Sequence, residues 1–235
     1  MTARNAAKAR RFRPALVGVI ATRADLLRAV RLRQLPDFFE LRLDALLPIL
    51  AEVESSIPQL RAPLVITARH PREGGKNSLS PVRRGELLQR FLPFANFVDV
   101  ELRSARQFAP LLRAAREHAV GLIISVHAFD RMPSQRWLKG QLTTALRFRP
   151  RMFKLAVRND TPNDVLRLLA FYTEASKRVP TAAMGIGKCG RSARIALLHH
   201  GSAHNYGYLV EPQLSGQISL VSLRRIRRKR KTDRI

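Results

Sequence analysis

The sequence predicts one α/β domain folded as a (β/α)8 barrel, in which eight parallel strands are each followed by a helix. Eight short apolar runs recur along the 235 residues, and a segment with helical spacing of its apolar residues follows each run. No Pro-, Gly- or Ser-rich linker divides the chain, whose length suits a small barrel with one core.

The predicted strands are apolar runs of ordinary strand length. They cover residues 15–21, 38–43, 64–68, 97–102, 121–126, 152–157, 181–186 and 206–210. Runs such as ALVGVIA and GLIISV are apolar almost throughout, as expected of parallel strands covered on both faces. The run FFELRL instead alternates charged and apolar residues, which places Glu40 and Arg42 on one face of the strand.

The predicted helices lie between and after these runs. They cover residues 23–32, 45–54, 81–91, 105–118, 134–147, 162–177, 191–200 and 219–228. Thr22, Ser104 and Thr161 precede three of them, and their hydroxyl oxygens can accept hydrogen bonds from the first helical turn. Because parallel strands need long crossover connections, the alternation of runs and helices predicts a parallel sheet.

Two other arrangements fit the same pattern: a doubly wound open sheet, and a barrel lacking one unit. The first apolar run is followed by Ala21-Thr22-Arg23-Ala24 rather than by a G-x-G-x-x-G loop, and no Walker pattern occurs. A nucleotide site of the Rossmann type therefore has no local support. The count of eight units favours the closed barrel.

The chain is strongly basic, with 43 Lys+Arg against 17 Asp+Glu and a net charge of +26. We expect basic, flexible tails at residues 1–13 and 229–235 around a barrel at 14–228. Such a charge favours anionic partners, and contact with nucleic acid is expected to be weak and non-specific. No apolar run is long enough for a membrane span, and the single Cys189 suits a reducing cytoplasm.

Lys154 is the most informative residue. A lysine inside the apolar run MFKLAV is costly to bury as an ammonium, so burial should favour the neutral amine. A neutral amine can attack a ketone and form a Schiff base. The alternative is a structural lysine at the mouth of the strand, paired with a carboxylate.

His127 ends the preceding strand and could carry protons beside an imine. The alternative is a structural histidine. Glu73 could orient the imidazole, while Arg42, Arg69 and Arg194 could grip a substrate carboxylate through paired N–H donors. His199, His200 and His204 resemble metal ligands but lack acidic neighbours at helical spacing, so we attribute them to the end of the helix after the seventh strand and predict no metal site.

Several motifs in order resemble the type I 3-dehydroquinate dehydratases, across nearly the whole chain. The matching segments are FELRLD at 39–44 (E-x-R-x-D), TAR at 67–69 with EGG at 73–75, VDVEL at 98–102, SVHAF at 125–129, FKLA at 153–156, GRSAR at 190–194 and SGQIS at 215–219. The chain departs from the family where Gln213 replaces a serine, Ser215 replaces a proline, and one of two strand-7 methionines is Ile186 while Met184 is kept.

The resemblance implies a cytoplasmic homodimer that converts 3-dehydroquinate to 3-dehydroshikimate and water in aromatic amino acid biosynthesis, without metal or organic cofactor. It implies that Lys154 forms the imine, His127 transfers protons and Glu73 orients His127. The other implied site residues bind substrate or close the pocket: Glu40, Arg42, Arg69, Met184, Arg194, Tyr206, Gln213 and Gln217.

Two other functions stay open at this point. Another Schiff-base barrel, such as an aldolase of phosphorylated sugars, would share the lysine but would favour a phosphate site in glycine-rich turns after the last strands. A basic protein that binds polyanions on a barrel scaffold would not need Lys154 and would lose affinity steeply with salt.

Overall fold

The computed structural model describes residues 14–232, and side chains as far as residue 228. The predicted tail at 1–13 and the last three residues lie outside this range, so the flexibility of the tails stays a prediction. The final helix continues through Thr232, past the boundary at 228 predicted for the barrel.

The described chain alternates strands and helices in the predicted order. The strands are β1 (Ala15–Ile20), β2 (Phe38–Arg42), β3 (Leu64–Thr67), β4 (Phe97–Glu101), β5 (Gly121–Ala128), β6 (Met152–Arg158), β7 (Thr181–Ile186), β8 (His204–Tyr208) and β9 (Ile218–Ser219). The helices are α1 (Arg23–Val30), α2 (Leu50–Ser56), α3 (Pro81–Phe91), α4 (Ala109–Glu117), α5 (Gln135–Leu146), α6 (Pro162–Ala175), α7 (Gly190–His200) and α8 (Leu220–Thr232).

The strands form one parallel sheet that curls into a barrel. Within the described range its order is β7-β6-β5-β4-β3-β2-β1-β8-β9, so each strand from β1 to β7 lies beside its neighbours in the chain. β1 pairs with both β2 and β8. The N–H of Ala203 donates to the carbonyl of Thr181 at 2.9 Å, which joins the start of β8 to the start of β7. This closure confirms the barrel and rules out the doubly wound sheet.

Two helices begin later in the chain than predicted, and a proline explains each difference. Residues 45–54 were predicted as one helix, but a short 3-10 helix at Leu47–Ile49 with Pro48 in its first turn comes before α2. Residues 105–118 were predicted as another, but α4 begins at Ala109 with Pro110 in its first turn. Proline lacks a backbone N–H and suits a first turn rather than a helix interior.

The core has two parts. The larger lies between the outer faces of the strands and the helices, and includes Phe39, Phe91, Phe153 and Phe171. The smaller lies inside the barrel and is closed at the amino-terminal ends of the strands by aromatic rings. There, the His204 ring lies 4.9 Å from Phe38 and 5.4 Å from Phe97 between ring centroids.

His204 is therefore part of the barrel floor, whereas sequence analysis attributed it to a helix end. Burial lowers the pKa of His204 to about 4, so the ring is neutral at ordinary pH. His199 and His200 do lie in the last turn of α7. Residues 14–232 contain no group of three or more His, Cys, Asp or Glu side chains placed to hold a metal ion. No helix in that range is long and apolar enough to cross a membrane.

Phe153 should contribute strongly to stability, because it is 0% exposed and packs edge-to-face against Phe171 of α6 with centroids 6.4 Å apart. We expect Phe153→Ala to lower the free energy of unfolding by about 3–5 kcal/mol in a urea titration. Leu166→Ala is the control, since Leu166 is 64% exposed, and should change stability by at most about 0.5 kcal/mol. Equal losses in both variants would contradict this packing.

Candidate active site

A pocket opens at the carboxyl ends of the strands, where (β/α)8 barrels carry their active sites. All the site residues implied by the sequence line it: Glu40, Arg42, Arg69, Glu73, His127, Lys154, Met184, Arg194, Tyr206, Gln213 and Gln217. Val19, Gly74, Phe129, Ala156, Ile186 and Leu214 complete the wall. The positions are now known, and the chemical roles of these residues stay predictions.

Lys154 lies at the bottom of the pocket between two carboxylates. Its Nζ donates to Asp99 Oδ2 at 2.7 Å and to Glu40 Oε1 at 3.0 Å. The ammonium also lies over the ring of Tyr206, 3.9 Å from its centroid, in a cation–π contact. The sequence left open whether this lysine is buried in the strand or paired with a carboxylate, and the structure shows both: Lys154 is buried and paired with two carboxylates.

His127 is held by Glu73 through two hydrogen bonds. Its Nδ1 lies 2.8 Å from Glu73 Oε2, and its backbone N–H donates to the same oxygen at 3.0 Å. Burial, and then the charges of Arg69 and Lys154, hold the pKa of His127 well below its usual value. A neutral imidazole that donates from Nδ1 to Glu73 has an unprotonated Nε2, which is the form a general base needs.

Glu73 is itself sensitive to its surroundings. Burial raises the pKa of Glu73 to about 7, and the carboxylate of Glu101 acts in the same direction. Arg69 and Arg103 oppose this rise. The Arg103 Nε lies 2.9 Å from Glu73 Oε1, so the two oxygens of Glu73 are divided between an arginine at the rim and the histidine inside.

Arg69 links the lysine side of the pocket to the histidine side. It donates to Asp99 Oδ2 at 3.1 Å, to Ser125 Oγ at 3.0 Å and to Glu101 Oε1 at 3.3 Å. Burial by itself would raise the pKa of Asp99, but the charges of Arg69 and Lys154 lower it below its usual value. Asp99 is therefore a carboxylate at all ordinary pH values.

Arg84 supports this network from helix α3. It is 1% exposed, and donates to the carbonyl of Ala68 at 2.8 Å, to Ser104 Oγ at 3.1 Å and to Glu101 Oε2. Glu101 in turn accepts from Arg69 and from the backbone N–H of His70 at 2.9 Å. Arg84 thus fixes both the carboxylate behind Arg69 and the chain just before it.

Two other arginines face the pocket, one of them paired with a carboxylate and the other not. Arg42 is already paired, because its Nε and Nη2 donate to the two oxygens of Asp44 at 3.0 and 2.9 Å. Arg194 donates to the carbonyls of Gly185 at 2.9 Å and Tyr206 at 3.4 Å, and forms no ion pair within residues 14–228. Burial lowers the pKa of Arg194 to about 10, so it stays charged at neutral pH. A buried cation without a counter-ion attracts an anion.

The loop before β9 covers one side of the pocket. Gln217 Oε1 accepts from the backbone N–H groups of Gln213 at 2.6 Å and Leu214 at 3.3 Å. Gln217 and Gln213 thus reach the pocket together. Tyr206, which the resemblance implies is a site residue, lies on β8 inside the barrel and not on this loop.

Sequence analysis assigned no role to Asp99, Glu101, Ser125, Arg84 or Arg103. Asp99 and Glu101 stand two residues apart on β4, as Glu40 and Arg42 do on β2, and this shared alternation is the signal that could have found them. Arg84 carries no such signal, because it is one of two adjacent arginines on a helix.

Comparison with known proteins identifies the family. The profile of the type I 3-dehydroquinases matches residues 17–234. The chain belongs to this family. A 3-dehydroquinate dehydratase of Methanocella arvoryzae is 32% identical over 215 residues, which are 90% of this chain and 94% of that protein. The type I 3-dehydroquinases are hydro-lyases, and the predicted family and enzyme class are both confirmed.

Solved structures with this fold agree. The 3-dehydroquinate dehydratase of Geobacillus kaustophilus has a TM-score of 0.83 at 27% identity, over 93% of this chain and 91% of that one. The type I enzyme of Clostridium difficile, solved with covalently modified comenic acid, also has a TM-score of 0.83, at 25% identity over 94% of each chain.

Arg84→Met should leave Glu101 buried with too little positive charge around it. We expect the free energy of unfolding to fall by about 3–5 kcal/mol. Arg83→Met is a matched control, because Arg83 is the exposed neighbour and pairs with the exposed Glu86, and should cost at most about 1 kcal/mol.

A double variant tests the cause. Arg84→Met combined with Glu101→Gln should cost less than the sum of the two single variants, by about 0.5–3 kcal/mol. Additive losses, or an Arg84→Met variant as stable as Arg83→Met, would contradict the ion pair.

Proposed function

We propose that the protein dehydrates 3-dehydroquinate to 3-dehydroshikimate through a Schiff base on Lys154, as a step of aromatic amino acid biosynthesis. The observation that carries the proposal is the pairing of a buried lysine with a neutral histidine on adjacent strands. β5 and β6 are in register so that Ser125 lies beside Lys154 and His127 beside Ala156. Both side chains face a pocket whose wall includes the unpaired Arg194.

The reaction begins with the amine of Lys154, after it has given a proton to His127. The amine attacks the ketone carbon and forms a carbinolamine. His127 then returns the proton to the carbinolamine hydroxyl, which leaves as water, so that an iminium remains and His127 is neutral again. The positive nitrogen lies where the ring of Tyr206 and the carboxylates of Asp99 and Glu40 stabilise a cation.

His127 Nε2 then takes a proton from the carbon next to the iminium, and the electron pair moves to the nitrogen as an enamine. The enamine expels the hydroxyl two carbons from the imine, and His127 returns the proton so that water leaves. A second water hydrolyses the imine and frees Lys154. The water lost on imine formation equals the water used here, so one water is released overall.

The arginines and the loop before β9 determine which substrate is held. Arg194 supplies the positive charge for a carboxylate at one side of the pocket. Arg42, Arg69 and Glu40 offer donors and acceptors to ring hydroxyl groups, and Gln217 with Gln213 closes over them.

We also propose a homodimer in the cytoplasm that needs no cofactor. These three points rest on the family resemblance alone.

Incubation with 3-dehydroquinate and borohydride should trap a covalent adduct detectable by mass spectrometry, because borohydride reduces an iminium to a stable amine. We expect the adduct in the wild type and its complete loss in Lys154→Ala. Lys188→Ala is the control, since Lys188 is exposed and forms no imine in this proposal. An adduct that persists in a folded Lys154→Ala protein, or none in the wild type, would contradict the mechanism.

Arg103→Gln should shift the pH dependence of kcat/KM. The carboxylate of Glu73 is needed to orient His127, so activity falls as the pH drops through the pKa of Glu73, which lies at about 7. Removal of the opposing Arg103 charge raises this pKa further and moves the acidic limb to higher pH. We expect a loss of up to about tenfold near pH 6 and near-normal activity well above the raised pKa.

Arg106→Gln is the control, because Arg106 is exposed and close in sequence but lies in no recorded contact with Glu73. Arg103→Lys should restore part of the profile. A loss of activity that is equal at every pH would show that Arg103 acts on structure rather than on the charge of Glu73.

A further inference from the structure

The catalytic pocket uses few of the 43 lysines and arginines of this chain. The pocket wall contains Arg42, Arg69, Lys154 and Arg194, and Asp99, Glu40 and Asp44 balance three of them. Most of the positive charge therefore lies elsewhere and has no part in the proposed dehydration.

An open cleft of about 790 Å³ lies at the opposite end of the barrel, where the strands begin. The segments leading into β4, β5 and β6 form its wall. Three arginines line it, namely Arg116 from the end of α4 and Arg149 and Arg151 from the loop before β6. Within residues 14–228 none of the three forms an ion pair.

The neighbouring positions add to the positive charge. Arg147 is exposed at the end of α5, and Arg178 is exposed just before β7, the strand beside β6. Glu117 is an exposed acid directly after Arg116 in the last turn of α4, whereas Glu174 is already paired with Lys177 at 2.7 Å. Positive charge outweighs negative charge along this part of the face.

Arg149 has a backbone conformation unusual for a residue with a side chain, and shares it with Ala119 of the same cleft, whose φ is 57°. Arg149 has a φ of 49°, in the left-handed region where glycine is favoured just past the end of a helix. A longer side chain in this conformation costs about 1 kcal/mol relative to glycine. The chain therefore carries an arginine at a position where its own backbone favours a residue without a side chain.

Helix dipoles give the main competing explanation. The carboxyl ends of α4 and α5 point toward this face, and a cation there stabilises the helix end. Arg116 does donate to the carbonyl of Phe148 at 2.8 Å. However, Arg149 and Arg151 lie past the last turn of α5, where the dipole effect has fallen off.

We propose that this cleft binds the phosphate backbone of nucleic acid without sequence specificity, independently of the catalytic pocket. Guanidinium groups bind phosphate oxygens through paired donors, and three of them in one open cleft fit a row of phosphates better than a single small anion. An anionic membrane fits less well, because Phe94 is the only large exposed apolar residue of the described chain on the segments leading into β4, β5 and β6, and a membrane-binding face needs a broad apolar surface beside its cations.

The test compares two variants of equal charge by fluorescence anisotropy with a labelled DNA duplex of about 30 base pairs across a salt series. The cleft variant is Arg116→Gln/Arg149→Gln/Arg151→Gln. The control variant is Arg106→Gln/Arg131→Gln/Arg136→Gln, which removes three exposed arginines at the catalytic end of the barrel.

We expect the slope of log Kd against log salt to fall by about 2–3 in the cleft variant and by much less in the control. Dehydration of 3-dehydroquinate should be unchanged in the cleft variant. A negative result in the DNA-binding test therefore leaves the proposed dehydration standing, and a negative result in the borohydride test leaves the proposed cleft standing.

Four outcomes would overturn the proposal. The first is an equal loss of DNA affinity in both variants, and the second is no DNA binding by the wild type at physiological salt. The third is binding to phosphatidylserine vesicles but not to DNA, and the fourth is a cleft variant that loses thermal stability while its DNA binding stays the same. The first would indicate net charge alone, and the last would indicate the helix-dipole role.

Discussion

A balanced set of buried charges determines what the rest of this barrel must do. Three carboxylates, on Glu40, Asp99 and Glu101, are buried at the carboxyl ends of β2 and β4 together with three cations, on Arg69, Arg84 and Lys154. A buried ion is costly unless it is paired and hydrogen-bonded. Removing one partner of a pair leaves the other charge buried and uncompensated. The six groups therefore hold one another in place, and the position of Lys154 depends on residues of β2, β4 and α3 and on Arg69 just after β3.

Such a network is weak evidence for stability, because well-packed apolar side chains often serve as well or better. Its value here is positional. Lys154 Nζ is fixed by two acceptors within 3.0 Å, and His127 is fixed by Glu73, while Arg69 touches both halves. The charges thereby hold these two nitrogens in a fixed relation, as the proposed proton transfer beside an imine requires.

The sequence could predict the barrel because each strand is a local apolar run, and local pattern is what a sequence displays most directly. It could also place Glu40 and Arg42 on one face, since alternation along a strand is a local property. The partners of Lys154 were out of reach, because Glu40 and Asp99 lie 114 and 55 residues away and meet it only when the sheet closes.

Arg83 and Arg84 show the same limit on a smaller scale. The two are chemically identical neighbours, yet one is half exposed and the other 1% exposed. Their difference comes from which side of α3 meets β3 and β4. An arginine is expected to be exposed, so the residue type by itself would not predict that Arg84 is buried. Residues that hold a site from behind are thus the hardest to recognise, whereas strand-end residues such as His127 are the easiest.

The loop before β9 is anchored at one point, Gly216, and covers the pocket with the residues around it. Gly216 has a φ of 84°, and a Cβ there would lie 2.9 Å from the Cα of Gly190, so this point of the loop packs directly on the start of α7. Beyond that contact the loop is exposed, and Gln217 holds it through two hydrogen bonds to backbone N–H groups. Each such bond contributes about 1 kcal/mol net. Both bonds use the Oε1 of Gln217, and its Nε2 can still donate to a substrate, so one side chain can hold the loop and contact the substrate at the same time.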